Sequence, residues 1–581
     1  MVTSVGNVIE FFGDSALGKL ERYNTVKTAL KSERWSFEAH WRELGDYLLP
    51  RRTRFWVGDR NRGDKRNQKI LDSTGRFAVR TLQSGLHAGL TSPARPWMKL
   101  TTPDPNLAKI PAVKAWLSVV TQRMLLVFQQ SNLYNALPIL YGDMGVFGTA
   151  CMGVLEDTDD LLRCYPYPIG TYALGLDKRG LATSFVREYR LSVRQVVEDY
   201  GLMADGRTID WTKLSSRVKH SWERSLYEEP VDLTWLVMPN PYPNPKRLEA
   251  KYKPWVSCHW EDNGNEQKFL RESGFDTFPV VAPRWDITGE DTYGTDCPGM
   301  TALPDVKQLM EQQKAKALAI QTLVKPPTIA PTTLQTQGTF LLPGDVTYVD
   351  VPQGMAGMRS VYDIRVDVSH LIQDISKTQY QIQRAFFEDL FLMLAQSENG
   401  SAQPITAEEV RERHEEKLLA LGPVLERTND ELLAPLVERA WKMMEAAGLI
   451  PVAPEEVQGV KIAAEYTSIM AQAQKLVGVV GLDRFLGSAT ALAQTFPDVV
   501  DKIDSNRVVD IYGDALGVDP SILRTDEDAN ERAQARAQQI QRAEEAKQAQ
   551  QMAAAMKSAG DTPMGGDTAL SRLVGTQTEA A

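Results

Sequence analysis

The sequence predicts an α+β protein, on three observations. Apolar residues recur every three to four positions through much of the first 150 residues and again after residue 300, the period of helices with one buried face. From residue 150 to 285 the pattern changes to short runs rich in β-branched and aromatic residues, separated by Asp- and Gly-containing turns, as in a mostly antiparallel sheet. Between Leu303 and Gly448 the order is helix, Pro/Gly-rich β excursion, helix, glycine-containing loop and very long helix. Two helices standing side by side with a β excursion at their shared end build a wall or spoke, which is a poor container for a small substrate.

The first helix runs from Ser15 to about Leu49, with Trp35, Phe37, Trp41, Leu44, Tyr47 and Leu48 at helical spacing, and Pro50 stops it. Arg51 to Arg66 carries Arg51, Arg52, Arg54, Arg60, Arg62, Lys65 and Arg66 and reads as an exposed basic loop. A second helix starts near Ile70 and presents Leu71, Phe77, Val79, Leu82, Leu86 and Leu90, before Ser92-Pro93 and Arg95-Pro96-Trp97 end it. Further helices fit Ala112–Gln130 and Leu133–Val146, the latter closed by Gly148. Strands follow at Ala150–Glu156, Leu161–Tyr167, Thr171–Leu176 and Thr183–Leu191. They return at Val231–Val237, Pro254–Trp260, Lys268–Ser273 and Pro279–Trp285. Ser192 caps a short helix to Tyr200.

Residues 286–302 read as a hinge, and a long helix, Leu303–Val324, spans about 33 Å before Lys325-Pro326-Pro327 stops it. Short strands are expected around Phe340–Leu342 and Thr347–Val351. A second long helix, Val366–Leu394, marks one face with Val368, Leu371, Ile372, Ile375, Ile382, Phe386, Leu390 and Leu394. Gln396–Gln403 is a soft loop, and Thr406-Ala-Glu-Glu409 is a capping box for a helix running to Gly448. Gly422-Pro423 and Pro435 should kink that helix rather than end it, because apolar periodicity continues through both. Residues 450–524 read as a small helical unit, Asp526–Lys557 as an Ala/Gln/Glu/Arg-rich helix, and 558–581 as a disordered tail.

The 581 residues carry a net charge of −10. A sequence-specific DNA binder is usually basic, but an acidic balance does not exclude DNA as cargo, since a surface that DNA slides past should not grip phosphates. Cys151, Cys164, Cys258 and Cys297 are scattered and read as reduced, buried thiols. Cys258 and His259 are neighbours in a strand-like run, so they point to opposite faces and cannot share a metal. No apolar run approaches the roughly 18 residues of a membrane span, and Met1–Phe12 lacks the features of a signal peptide.

One motif looks catalytic. Gly13-Asp-Ser-Ala-Leu-Gly-Lys19-Leu20 fits a phosphate-loop frame, but Leu20 stands where a hydroxyl must hold Mg²⁺, so it reads as a helix N-terminus. The paired acids at 159–160, 290–291, 408–409 and 415–416 sit in a turn, a hinge and an outer helical face, as solvated charges do. Neither a nucleophile elbow nor a zinc-protease motif is present, so no catalytic centre, metal or cofactor is expected. The basic run is a solvated loop, a salt-bridged subunit contact or a nucleic-acid contact. Lys307, Lys314, Lys316 and Lys325 lie on the first long helix, and Lys307 and Lys314, seven apart, share a face. That face is either ordinary solvated surface or, in a ring, the lining of a lumen.

Four stretches then carry a family likeness. The first is Trp41-Arg-Glu-Leu-Gly-Asp-Tyr-Leu-Leu-Pro50, continued by Asp72-Ser-Thr-Gly-Arg-Phe-Ala, by Leu82-Gln-Ser-Gly-Leu-His-Ala-Gly-Leu-Thr-Ser-Pro93 and by Pro96-Trp97. The second is Ser131-Asn-Leu-Tyr134 with Tyr141-Gly-Asp-Met-Gly-Val-Phe-Gly-Thr149. The third is Phe278-Pro-Val-Val-Ala-Pro-Arg-Trp285, followed by Gly289-Glu and Tyr293-Gly294. The fourth is the glycine loop with Ile405-Thr-Ala-Glu-Glu-Val410. In this order, over roughly residues 15–450, the chain resembles the portal, or head-to-tail connector, proteins of short-tailed bacteriophages. Thr295-Asp296 departs from the basic and small pair common there.

The resemblance implies a portal-type α+β fold, with helical stem, α/β wing and clip and a mainly helical crown, assembled as a ring of typically twelve subunits. It places the wing at 1–285, the hinge and first stem helix at 286–324, the clip at 325–363 and the second stem helix at 364–395. The tunnel loop falls at 406's N-terminal side, 396–405, and the long wing helix with its return to the wing at 406–475. The crown, with a candidate C-terminal barrel helix, falls at 476–557 and the tail at 558–581. Gln396, Ser397, Glu398, Asn399, Gly400 and Ser401 become candidate DNA-facing residues, Lys307 and Lys314 candidate lumen residues, and Lys325 and Arg359 candidate clip contacts. Implied partners are further copies of the chain, double-stranded DNA, the terminase motor, a tail adaptor, and major capsid and scaffolding proteins, at one virion vertex and with no membrane. Two other readings stay open: a packaging ATPase–nuclease, and a non-channel head–tail adaptor.

Overall fold

The computed structural model describes residues 16–59, 63–104, 106–107, 110–203, 205–247, 249–262, 268–324, 328–329, 359–360, 368–392, 421–467, 485–492, 503–516 and 526–560, with 482 and 496. The chain divides into two compact units, Met1–Ala471 and Gln472–Ala581. The strands expected at 340–342 and 347–351, the loop 396–403 and the start of the helix at 406 lie outside the described residues.

The first helix, α1 (Ala16–Tyr47), buries Leu20, Tyr23, Trp41 and Leu44. Trp35, expected on that face, is 74% exposed, and Arg34 is buried in its place. Arg34 donates to the Tyr172 carbonyl at 3.0 Å and pairs with Glu38 at 2.8 Å. A guanidinium with two acceptors is accommodated there, and apolar spacing cannot register an acceptor on a distant strand. Lys27 and Lys31 tie the same helix to the sheet, Lys27 to Asp262 at 2.6 Å and Glu188 at 2.9 Å, Lys31 to Glu188 at 2.8 Å. Helix α2 (Thr74–Leu90) starts four residues later than expected, because the Asp72 carboxylate accepts the Thr74 N–H at 2.8 Å and turns the chain there. Leu71 and Phe77 are accordingly exposed, while Val79, Leu82, Leu86 and Leu90 are buried as expected.

A short strand, β1 (Met98–Thr101), was not anticipated; it leads to α3 (Pro111–Gln130) and α4 (Leu133–Phe147). Gly148 caps α4 in the left-handed region at φ 76°. The chain then forms β2 (Met152–Asp157), β3 (Leu161–Pro166), β4 (Tyr172–Leu176) and β5 (Ala182–Ser192). Ser192 caps α5 (Val193–Val196) in a complete capping box with Gln195. Helix α6 (Ser216–Glu223), absent from the sequence-based expectation, is capped by Ser215 and followed by β6 (Pro230–Pro239), β7 (Trp255–Glu261), β8 (Phe269–Phe275) and β9 (Val280–Val281).

These strands form a five-stranded antiparallel sheet, β4-β5-β6-β7-β8, and a three-stranded sheet, β3-β2-β9. Alternation along β7 separates Cys258 from His259 as expected. Cys258 and Trp260 pack with Leu20, Tyr23, Val186 and Leu236. His259 Nδ1 lies 3.1 Å from the hydroxyls of both Tyr189 and Tyr200. Burial, with Arg271 and Arg187 nearby, pushes His259 down to about 3, so its ring stays neutral. All four cysteines are buried and free.

The expected strand Pro279–Trp285 is regular only at Val280–Val281, but its extended course continues. Ala150 N–H donates to Pro283 O at 3.0 Å, and Trp285 N–H to Gly148 O at 2.8 Å. Two glycines then cross: a Cβ on Gly294 would lie 2.1 Å from the Gly148 carbonyl oxygen. Helix α7 (Pro298–Val324) is joined through the antiparallel pair β10 (Thr328–Ile329) and β11 (Arg359–Ser360) to α8 (Val368–Ala385).

Here the expected helix Val366–Leu394 is interrupted. Phe387 takes φ 57°, and the helix resumes at 388–392. The break lets Phe386, Leu390 and Phe391 all be buried, with the Phe391 ring in the space left by Gly85, whose absent Cβ would meet it at 2.1 Å. Tertiary packing overrides a periodicity that was continuous. The next described helix runs through 421–428, a π turn at Asn429–Leu433 and α9 (Ala434–Ala446), so Pro435 is absorbed without ending the helix. Strand β12 (Ala463–Tyr466) pairs antiparallel with β1.

The second unit contains α10 (Ser505–Leu516) and α11 (Asp526–Gly560) among its described residues. The latter, at 35 residues, is about 52 Å long.

Replacing Gly294 by Ala puts a methyl group against the Gly148 backbone and is expected to cost about 1–3 kcal/mol, read from the urea midpoint. Gly289, with open space around it, should accept Ala within about 0.5 kcal/mol.

Candidate functional site

The paired helices α7 and α8 both meet the rest of the first unit at a polar junction centred on Asp72. The carboxylate of Asp72 accepts Gln313 Nε2 at 2.8 Å from α7 and Gln379 Nε2 at 3.0 Å from α8. Thr74 supplies its N–H and its hydroxyl to the same carboxylate. Met310 Sδ of α7 accepts the N–H of Leu71 at 3.1 Å and of Asp72 at 3.4 Å. Burial would raise the Asp72 carboxyl, but the hydrogen bonds from Thr74, Gln379 and Gln313 outweigh it and hold it below the usual carboxylate range. Gln312 reaches Asp374 directly across the pair at 2.5 Å.

Around this junction α7 changes character. Ala302, Leu303, Val306, Leu309 and Met310 are buried. Beyond Met310 no described side chain of α7 is buried, and Leu318, Ile320 and Val324 are exposed, as is Ile372 on α8. Among the described residues nothing buries these apolar groups.

A second hub lies at Arg284, in the extended run after β9. It is 4% exposed, and its guanidinium donates to Gly180 O at 2.6 Å, Asp291 O at 2.8 Å and the Glu431 carboxylate at 2.5 Å. The Arg284 N–H also meets Glu431, at 2.8 Å. The π turn at Asn429–Leu433 carries Glu431. One turn earlier, Arg427 donates to Trp285 O at 2.8 Å and Asp286 Oδ1 at 2.9 Å.

Of the candidate lumen residues, Lys307 pairs with Glu43 of α1 and keeps 38% of its side chain exposed. Lys314 is 69% exposed, with Glu311 at 3.9 Å. The two share a helix face but not an environment. Lys325 and Gln396, Ser397, Glu398, Asn399, Gly400 and Ser401 lie outside the described residues, and Arg359 is placed by its backbone in β11. Of the basic run, Arg60 and Arg62 lie outside the described residues, while Arg52 pairs with the buried Asp143 of α4, Arg66 with Asp59, and Arg54 donates to Val57 O at 3.0 Å. Asp159 and Asp160 sit in a turn closed by the Asp157 carboxylate. Lys19 and Leu20 are already inside α1, with Leu20 in the core. Among the described residues, no group of His, Cys, Asp or Glu is arranged to hold a metal ion, and no helix is long and apolar enough to cross a membrane.

A family profile described as "Bacteriophage head to tail connecting protein" matches residues 20–523. The chain belongs to this family. It is 44% identical over 521 residues to the portal protein of Salmonella phage epsilon15, covering 90% of this chain and 92% of that one. It is 42% identical over 494 residues to the "Probable portal protein" of Bordetella phage BPP-1, covering 85% of this chain and 87% of that one. The head-to-tail connecting family is a structural one, a component of the virion between head and tail.

The residues that shape this connecting protein were only partly visible beforehand. Asp72 and Arg284 stood in recognised stretches without a role, and Glu431 was not singled out. Glu431 stands between Asp430 and Leu432, and nothing in that local pattern separates it from its solvated neighbour. Arg439 was also missed. It is buried without a carboxylate in contact, donating to Val154 O and to Thr277 O and Oγ1 at 3.1 Å, and burial lowers it to about 10.

Glu431→Ala leaves the Arg284 charge buried and half-satisfied, and is expected to cost about 3–5 kcal/mol in denaturant unfolding. Asp72 carries a depressed pKa, so its charge-dependent stabilisation is complete above the unfolded value and lost as pH falls through the folded one. The gap in Tm between wild type and Asp72→Asn should therefore be constant near neutrality and shrink below about pH 4.

Proposed function

We propose that the chain is the subunit of a ring-shaped portal that passes double-stranded DNA through one capsid vertex during packaging and ejection. The observation that carries the reading is the pair α7 and α8, bare of cover beyond Met310, in a chain of the head-to-tail connecting family. Exposed apolar side chains on a helical wall need a neighbour, and further copies of the chain in a ring of about twelve would supply one. With −10 per chain, such a ring is strongly acidic, and an acidic channel repels phosphates and lowers friction on moving DNA.

In this reading α7 and α8 are the stem, with Lys314 the freer of the two lumen candidates and Lys307 held partly by Glu43. Residues 325–363, with Lys325 and Arg359, form the clip that meets the terminase motor and later the tail adaptor. Gln396, Ser397, Glu398, Asn399, Gly400 and Ser401 face DNA as the tunnel loop. Residues 476–557 form the crown. The ring assembles in the host cytoplasm with major capsid and scaffolding proteins, takes no cofactor and performs no catalysis.

Class averages of the purified chain by electron microscopy should show annular views; solid particles or monomers at high concentration would overturn the ring. Deleting 396–403 should spare the rings but cut DNA packaging or retention in an infection assay. Normal infectious yield from that deletion would sink the loop's role and leave the ring standing.

A further inference from the structure

Three consecutive residues, Arg284-Trp285-Asp286, touch the chain on both sides of residues 393–420. On the incoming side the Trp285 ring lies 6.3 Å from that of Phe387, at a tilt of 30°. On the outgoing side Arg284 binds Glu431, while Arg427 binds the Trp285 carbonyl and the Asp286 carboxylate. The triplet is itself fixed from behind. Trp285 N–H donates to Gly148 O at 2.8 Å, Thr295 N–H donates to Asp286 O at 2.9 Å, and Arg284 holds Gly180 and Asp291.

Two of the contacts, those of Phe387 and Glu431, coincide with an irregular backbone. Phe387 is a non-glycine residue at φ 57°, a conformation that persists only where its surroundings over-determine it. Glu431 stands in a π turn, which inserts a residue and rotates the following helix. Each has a local reason of its own, Phe391 seated against Gly85 for the first and Pro435, which has no N–H to donate, for the second. What the two have in common is that each faces the same triplet.

We infer that Arg284, Trp285 and Asp286 form a shared base clamp that couples the end of α8 to the start of the long helix at 421–433. Trp285 positions the first through Phe387, and Arg284 and Asp286 position the second through Glu431 and Arg427. The two ends are therefore set by one rigid element, and loosening either loosens both. The coupling concerns described residues only; its consequence, that both flanks of the candidate DNA-facing loop share one mount, rests on the portal reading.

Hydrogen exchange with mass spectrometry on the full chain, without DNA, tests the coupling apart from that reading. Arg427→Ala removes charge-assisted hydrogen bonds and should speed exchange about tenfold at 421–433. It should also speed exchange at 386–392, the segment that Phe387 ties to Trp285. Phe387→Gly keeps the left-handed turn without strain but removes the ring, and should speed exchange at 421–433 as well as at its own end. The amides of β5 and β6 report global integrity and should not change. If they do change in Arg427→Ala, the milder Asp286→Asn replaces it. Acceleration confined to the mutated end in either variant overturns the clamp.

Discussion

Arg284 and Glu431 form the contact on which most of the first unit turns. A buried ion pair adds little net stability over a well-packed apolar pair, but half of one is costly. Its effect is therefore to require several backbones to arrive together. The Arg284 guanidinium reaches the β4–β5 turn at Gly180, the hinge at Asp291 and the π turn at Glu431. A strand edge, a loop and a helix are registered by a single side chain. The Gly148–Gly294 crossing then brings the hinge close enough for these bonds to form.

Asp72 is the complementary hub, with an anion at the centre in place of a cation. Two glutamines from different helices and one threonine converge on it. Neutral amides satisfy the carboxylate without bringing another charge out of water, so α7 and α8 are held in a mutual register by directional bonds. Beyond that junction no described side chain of α7 is buried, so the stiffness of the helix there comes from backbone hydrogen bonds and from whatever packs on it in an assembly.

Local chemistry was legible in the sequence where it is decided locally. Gly148 after an apolar run and Ser192 before Gln195 cap their helices through short-range bonds, and both caps form. The opposition of Cys258 and His259 follows from strand pleating alone. The failures are long-range. Arg34 displaced Trp35 because a carbonyl at Tyr172 accepts from it, and Phe387 broke a regular helix because Gly85 offers Phe391 a place. Strand β1 was invisible since its partner, β12, lies near the other end of the unit. For the candidate site, the wall-like helices and their lysines could be read directly. Their mounting could not, because Asp72, Arg284 and Glu431 are single polar residues whose meaning depends on who surrounds them. The family likeness named the stretches containing the first two without indicating what they hold.

The pairing of β1 with β12 also bears on how the chain is made. Met98 lies opposite Tyr466 and Thr101 opposite Ala463, Trp97 stacks on Tyr466 at 6.5 Å, and Lys99 meets Glu465 at 3.1 Å. Synthesis proceeds from the N-terminus, so the edge at Met98–Thr101 emerges from the ribosome long before its partner exists. Until then an apolar strand edge stays open, next to the buried Trp97, and is free to pair with another nascent copy. Contacts of such large sequence separation form late and slowly. The chain closes this edge only after Tyr466 has been made, which makes the vulnerable period of this edge its own synthesis.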